Sequence, residues 1–422
     1  MLSQTARAWE HMLRTAQDLF ARYGYEPIYT PAFEHTEVFT RGIGEATDIV
    51  SKEMYTFVDR SGRSLTLRPE GTASVVRAAL EHGLVQPGSS AKLYYAGPMF
   101  RYERPQKGRM RQFWQIGLEA LGMSEPSIDA EVIQILMRLF EAVGIPASSM
   151  RLLLNTMGDE ACRPAYRDSV AAYIREHAAE LCDECNRRAE TNPLRAFDCK
   201  NPACHEVMGR APLLRDELCP ECAAHYAAVK EYLGLLGIEY AEEPRLVRGL
   251  DYYTRTVFEV QVDVGLGSQN AIGGGGRYDR LMQEYGGPAT PGLGFALGFE
   301  RTVLALEALQ GDVIAPATVD VYVARVDDTV ASRVFDLAAS LRDAGISAEM
   351  DHQHRSLKSQ FKQADKLGAR VAVVVGPDEL ARGEVTVRRM AGEHAPGTDR
   401  ETVVALGDLT QTVTGLIEDP AN

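Results

Sequence analysis

Residues 97–122 read GPMFRYERPQKGRMRQFWQIGLEALG, in which Arg101, Arg104, Lys107, Arg109 and Arg111 put five cations into one short loop between two strand-like segments. Cations that close repel one another unless an anion joins them. Phosphate suits the place, because arginine offers planar, bidentate donors; the competing reading is a solvated loop tip. Further on, LVRGLDYY sets Arg248 between a strand-like start and Gly249. Taken alone, that arginine reads as half of a structural ion pair with Asp251. The run AIGGGGRYDRL, with Gly273–Gly276, invites a phosphate-loop reading, but the lysine such loops carry is absent.

All seven cysteines fall between residues 155 and 240. Cys182-x-x-Cys185 and Cys219-x-x-Cys222 are two close pairs, with Cys199 and Cys204–His205 between them. Two such pairs in one segment read as a tetrahedral zinc site made by Cys182, Cys185, Cys219 and Cys222. The gap between the pairs exceeds that of a zinc ribbon, and free thiols in a reduced compartment are the alternative. Cys162 is assigned to core packing. Near the end of the chain, Arg355, Lys358, Lys362, Lys366 and Arg370 recur at spacings that put most of them on one helix face. Such a stripe is either a solvated face or a set of phosphate contacts.

Several elements must position these groups. Trp9, Met12, Leu13, Ala16, Leu19 and Phe20 fit one face of an opening helix. Residues 1–154 alternate helical and strand patterns, and EPSIDAEVIQILMRLFEAVGI is a strong helix with Asp129 and Glu131 near its start. Residues 155–240 look helical. TRTVFEVQV is a strand, the glycine run follows it, and a helix starts near Phe299. LQGDVIAPAT, residues 309–318, reads as a linker. Beyond it VDVYVARV, ISAEMD and RVAVVVG are strands alternating with helices, a small doubly wound α/β unit.

The 422 residues are 45% hydrophobic and 25% charged, values of an ordinary folded protein of two to four domains. A net charge of −14 argues against non-specific coating of nucleic acid. No apolar run approaches the ~18 residues of a membrane span, and Glu10 and Asp18 interrupt any signal-like stretch at the start. A cytoplasmic protein is expected.

FRYERPQKGRMRQFWQ resembles motif 2 of the class II aminoacyl-tRNA synthetases, in the form typical of the histidyl-tRNA synthetase family. The likeness extends along nearly the whole chain. YGYEPIYTPAF is similar to motif 1, with its proline at Pro31; TLRPEGTA to the histidine-site loop; LVRGLDYYTRTVFE to the histidine-specific signature; and GLGFALGFERT to motif 3. The family's Gly-Thr-(Lys/Arg)-Asp segment before the first helix has no counterpart here, which leaves a start upstream of Met1 open.

The resemblance implies an α+β catalytic domain with a mixed, mainly antiparallel sheet over residues 1–154 and 241–310, a helical insertion domain over 155–240, and an α/β anticodon-binding domain over 319–422. It implies activation of L-histidine by ATP with Mg²⁺, transfer of histidine to tRNA(His), and a homodimer. By resemblance Arg101 and Arg248 are catalytic: the first contacts the α-phosphate and the substrate carboxylate, and the second stands where other class II enzymes rely on a metal ion. Arg109 holds the outer phosphates, and Phe113 and Arg301 sandwich the adenine. Glu70, Thr72 and Gln115 take the substrate ammonium, Glu119 and Tyr253 read the imidazole, Tyr252 and Tyr278 line the pocket, and Gly71, Arg101 and Arg248 also belong to the histidine site. Arg104 and the stripe of Arg355, Lys358, Lys362 and Lys366 face tRNA. The rival reading is the synthetase-like, histidine-sensing regulatory subunit of ATP phosphoribosyltransferase. Arg101, Arg109, Arg248 and residues 319–422 point away from it, and a zinc-dependent nucleic-acid module leaves RGLDYY unexplained.

Overall fold

A computed structural model of the chain describes residues 3–44, 47–86, 88–104, 106, 108–247, 249–264, 270–310, 319–390 and 400–418. The chain divides into two compact units, residues 1–314 and 315–422. The expected linker lies, past Gln310, outside the described residues.

In chain order the strands of the first unit are β1 (Glu26–Pro27), β2 (Phe33–His35), β3 (Tyr55–Val58), β4 (Ser64–Leu67), β5 (Ala91–Phe100), β6 (Gln112–Leu121), β7 (Met150–Thr156), β8 (Ala241–Glu242), β9 (Thr254–Val262), β10 (Ala271–Arg277) and β11 (Gly292–Gly298). Eight of them form one sheet in the order β1-β5-β6-β11-β10-β9-β7-β8. β1 and β8 join its edges in parallel and all inner pairs are antiparallel. β2, β4 and β3 make a separate small antiparallel sheet.

One face of the large sheet is sealed by apolar helices. Trp9, Met12, Ala16 and Phe20 of helix Ser3–Arg22 and Ile133, Leu136 and Phe140 of helix Pro126–Ala142 pack on Leu118, Phe258 and Phe295. Removing that apolar surface from water, at ~25 cal/mol per Å², holds these helices to the sheet. The opposite face carries the polar groups, walled by helix Thr72–Glu81 and by the segment between β7 and β8.

The glycine run is not a loop. Gly273–Gly276 are the middle of β10, paired on both sides. A Cβ on Gly275 would collide with the Gly294 carbonyl of β11, and one on Gly276 would meet the Thr256 carbonyl at 2.5 Å. The strands therefore approach more closely than side chains permit. A register shift against β9 between Gly276 and Arg277 bends the strand there. Arg277 turns into the core and is bound to Asp129, with Nε 3.1 Å from both carboxylate oxygens. Asp129, expected simply at a helix start, is buried and also bonds His225 of helix Pro220–Leu235 at 3.2 Å. That pair ties the helical segment to the sheet.

The second unit has β12 (Val321–Arg325), β13 (Ala348–Met350), β14 (Val371–Val375), β15 (Glu384–Arg389) and β16 (Glu401–Ala405) in the order β13-β12-β14-β15-β16. β12, β13 and β14 are parallel, with helices Ala331–Asp343 and Leu357–Leu367 in the crossovers. β15 and β16 add in antiparallel fashion, so the sheet is mixed and not wholly doubly wound.

Candidate active site

On the polar face, Glu70, Thr72, Gln115, Tyr252, Tyr253 and Tyr278 line one end of a cavity of about 220 Å³. Arg101, Arg109, Phe113 and Arg301 line the other. Ten side chains spread over more than two hundred residues are thus brought to one place.

The first end is a closed hydrogen-bond network. Glu70 starts helix Thr72–Glu81, its carboxylate accepting from the N–H groups of Thr72 (2.7 Å) and Ala73 (2.8 Å). Gly71 has to be glycine, because a Cβ there would enter the Tyr95 ring. The Thr72 hydroxyl donates to Glu119 Oε1 at 2.7 Å, and the Tyr278 hydroxyl donates to Glu119 Oε2. Glu119 is fully buried, and Gly294 opposite it lacks the Cβ that would strike its carboxylate. Burial pushes the Glu119 carboxyl up to about 8, against the pull of the Tyr278 and Thr72 hydroxyls. Burial raises Glu70 as well, opposed by its two backbone donors. The rings of Tyr252 and Tyr253 lie 4.7 Å apart, and Tyr278 meets Tyr252 edge-on at 5.7 Å. Arg163, from the helical segment, donates to the Tyr253 carbonyl at 2.7 Å. Gln115 Oε1 is buried beside this network with no hydrogen-bond partner among the described residues. A buried orphan acceptor is costly unless a ligand supplies the donor.

The second end is a loop. β5 and β6 form the hairpin on either side of it, and Arg101 N–H donates to Arg111 O at 2.9 Å across its base. Arg101 Nε is anchored on the Pro69 carbonyl at 2.9 Å, and its guanidinium lies 5.2 Å over the Phe113 ring. Arg109 pairs with Glu103 at 3.3 Å. Arg301 reaches from the start of helix Phe299–Gln310 to the carbonyls of Gly108 (3.3 Å) and Ala271 (3.1 Å), which clamps the loop against β10. Burial lowers the Arg301 guanidinium from its usual value, and the charge of Arg109 adds to this. The carboxylates of Glu103, Glu259 and Glu300 also line the cavity, although the sequence reading did not include them. The signal for Glu259 is in TRTVFEVQV: it interrupts the apolar run of a strand whose Phe258 and Val260 are fully buried.

Other expected residues lie apart. Arg248 falls outside the described residues. Arg104 is exposed on the loop. Lys358, Lys362 and Lys366 share an exposed face of helix Leu357–Leu367, whereas Arg355 precedes that helix and is bonded to Asp351 and Gln353. Arg370 follows the helix and donates to the Ile417 carbonyl at 3.1 Å.

The four-cysteine site expected from Cys182, Cys185, Cys219 and Cys222 does not form. Cys182 and Cys185 cluster with Cys199 and Cys204, while Cys219 and Cys222 cluster with Asp159 and Cys162. The reason is the chain path. Cys182 starts helix Asp183–Thr191, beside the later segment that carries Cys199 and Cys204, whereas Cys219 starts helix Pro220–Leu235, against the turn of Asp159 and Cys162 that lies 60 residues earlier in the chain. Cys162 is buried, as expected of core packing, but in the company of thiols.

The antiparallel sheet, the arginine hairpin and the motif 3 helix together define the catalytic domain of a class II aminoacyl-tRNA synthetase. Residues 1–302 match the family model for histidyl-tRNA synthetase, and residues 320–413 match that for an anticodon binding domain. The chain is 52% identical over 391 residues to the histidine–tRNA ligase of Moorella thermoacetica, covering 92% of each chain. It is 47% identical over 420 residues to that of Halalkalibacterium halodurans, covering 99% of this chain and 96% of the relative. The crystal structure of apo S. aureus histidyl-tRNA synthetase superposes with a TM-score of 0.76 at 36% identity, covering 98% and 97%. The chain belongs to the histidyl-tRNA synthetase family, and its activity is that of an ATP-dependent histidine–tRNA ligase. A Bacillus halodurans protein described as an ATP phosphoribosyltransferase regulatory subunit/histidyl-tRNA synthetase matches at 20% identity with a TM-score of 0.60, a likeness of fold alone.

Proposed function

We propose that the cavity holds histidine at its carboxylate-lined end and MgATP at its arginine-lined end, and joins them as histidyl-adenylate. A carboxylate oxygen of histidine attacks the α-phosphorus, the new anhydride bond forms, and pyrophosphate leaves. No general base is needed. The work is to bring two anions together and to stabilise charge on the phosphoryl oxygens. Arg101, anchored through Nε, presents its guanidinium to the α-phosphate and the attacking carboxylate. Arg109 exchanges Glu103 for the outer phosphates. Adenine enters between Phe113 and Arg301. Arg248, which lies outside the described residues, is assigned by resemblance the role of a second guanidinium at the α-phosphate.

Glu119 accepts from an imidazole N–H, with Tyr253 and Tyr278 near the other nitrogen and Tyr252 closing the wall. Glu70, Thr72 and the orphan acceptor of Gln115 receive the ammonium. A pocket of such groups rejects amino acids that leave them unpaired, often by ~10⁴ or more, so selection needs no second site. In the second step the terminal ribose hydroxyl of tRNA(His) attacks the carbonyl carbon of the adenylate. The ester forms and AMP leaves. Arg104 on the loop contacts the acceptor end, and Lys358, Lys362 and Lys366, with Arg355 at the start of their face, contact the anticodon stem.

Apolar surface supports a homodimer. Tyr29, Phe33, Phe57 and Val58 are 81%, 49%, 44% and 67% exposed, and the rings of Phe33 and Phe57 lie 6.4 Å apart. A second copy of the chain would cover them. No described helix is long and apolar enough to cross a membrane, and the proposed place of action is the cytoplasm, where tRNA is charged. The observation that carries the reading is the single cavity in which the Glu119 network faces Arg101 and Arg109. Amino-acid-dependent exchange of pyrophosphate into ATP tests it. Histidine alone should support exchange; equal exchange with other amino acids would overturn the assignment of the pocket.

A further inference from the structure

The two cysteine clusters are no part of this chemistry. We propose that Cys182, Cys185, Cys199 and Cys204 are the ligands of one zinc ion, held by four thiolates, that staples the helical insertion.

The four Sγ atoms all lie within 4.8 Å of one another, and those of Cys182 and Cys199 are 3.9 Å apart. A tetrahedral zinc with Zn–S of ~2.3 Å requires sulfurs about 3.8 Å apart. The cluster thus already has the spacing of an ion's corners, whereas a disulfide would need its sulfurs at about half that distance. All seven cysteines are unpaired by disulfides.

Local backbone turns bring these thiols together. Cys182 is the N-cap of helix Asp183–Thr191 and Cys185 lies in its first turn. The N–H of Cys182 donates to Cys204 Sγ at 3.2 Å. Cys199 caps the short helix Pro193–Asp198, and Cys204 lies in the first turns of helix Pro202–Met208. Three short helices converge on one point. Cys185 and Cys204 are completely buried. Four thiolates so close would repel strongly without a cation among them, and a divalent, soft-ligand ion supplies it.

The second cluster differs where it matters. Asp159, its oxygen ligand, is already paired with Arg255 at 3.1 Å. That guanidinium neutralises the carboxylate and opposes another cation beside it. The proposal therefore assigns one ion per chain and not two. The staple also has a reach beyond the insertion. Helix Asp183–Thr191 ends on Asn192, whose side-chain amide donates to Asp251 Oδ1 at 3.1 Å, two residues from the Tyr253 of the histidine pocket.

Elemental analysis of the full-length protein, purified without chelator, is the first test. About one zinc per chain is expected, retained in Cys219→Ser/Cys222→Ser and lost in Cys182→Ser/Cys199→Ser. Because the latter may fail to fold, the wild-type protein is also loaded with Co²⁺ in place of zinc. Four sulfur ligands give intense thiolate-to-cobalt bands and d–d bands at lower energy than three sulfurs and an oxygen. That S₄ spectrum is the expected result. Metal-free wild-type protein that takes up no cobalt, a spectrum of three sulfurs and one oxygen, or metal that follows Cys219 and Cys222 instead would overturn the proposal.

Discussion

The two ends of the catalytic cavity are built on opposite principles. At the histidine end, Glu119 of a central strand, Thr72 at a helix start, Tyr278 just past a strand end and Glu70 just before the helix are buried and bond one another before any substrate is present. At the phosphate end, Arg109 and Arg111 sit on a loop, partly open to solvent, and Arg109 has a carboxylate of the loop as partner. The difference follows from what each end must recognise. A neutral imidazole differs from other side chains by one or two hydrogen bonds, and only a rigid, dry site makes those count. A triphosphate brings several charges, enough to displace the carboxylate that Arg109 holds across the loop.

If this comparison is right, breaking the phosphate end should stop chemistry and spare recognition. Arg101→Ala should cut histidine-dependent pyrophosphate exchange by ~10²–10³ or more. Arg101→Lys should fail nearly as badly, since a point charge cannot replace the fork. Histidine binding, followed by equilibrium dialysis without ATP, should fall much less. An equal loss in both would erase the distinction between the ends.

Breaking the recognition end should do the reverse. Glu119→Gln keeps the shape but leaves the Thr72 and Tyr278 hydroxyls facing an amide that can donate. The KM for histidine should rise by roughly 10–100-fold, the cost of an unsatisfied buried group, with a smaller change in kcat at saturating histidine. Tyr278→Phe should act in the same direction and less strongly.

A gentler probe uses the tRNA face. Lys358→Glu, Lys362→Glu and Lys366→Glu together should raise the KM for tRNA several-fold and flatten its dependence on salt by about two units of log–log slope. Aminoacylation measured over a range of KCl concentrations reads both. An unchanged salt slope would remove this helix from the tRNA interface.

The smallest effect concerns pH. Glu119 ionises near 8 in the folded chain, well above the ordinary carboxyl value. The folded state therefore holds a proton there that the unfolded chain has already lost. Stability from this group is complete below the ordinary carboxyl range and is lost as pH rises through about 8. Thermal melts from pH 5 to 8.5 should show a decline that is shallower in Glu119→Gln. A steeper decline in the variant would mean that burial does not hold Glu119 neutral.

The cysteines repeat the lesson of the cavity on another scale. Spacing in the chain pointed to Cys182, Cys185, Cys219 and Cys222, because two close pairs look alike along a sequence. Each pair instead finds its partners in a different segment, Cys199 and Cys204 for the first and Asp159 and Cys162 for the second, a choice that the fold makes.

Much was legible in one dimension. The hairpin of residues 97–122, the opening helix with its Trp9–Phe20 face, the helical character of residues 155–240 and the alternation after residue 319 follow from periodicity, which a strand or helix imposes on its own neighbours. Contacts between distant segments were not legible. Nothing near Asp129 says that Arg277 and His225 will meet it, and nothing in AIGGGGRYDRL says that the glycines are a central strand between two others. Nor does the sequence show that Gln115 Oε1 is left without a partner among the described residues. Local patterns determine elements because their physics is short-range. Which buried group finds a partner is decided only when the sheet closes and water is gone, and that is a property of the tertiary structure.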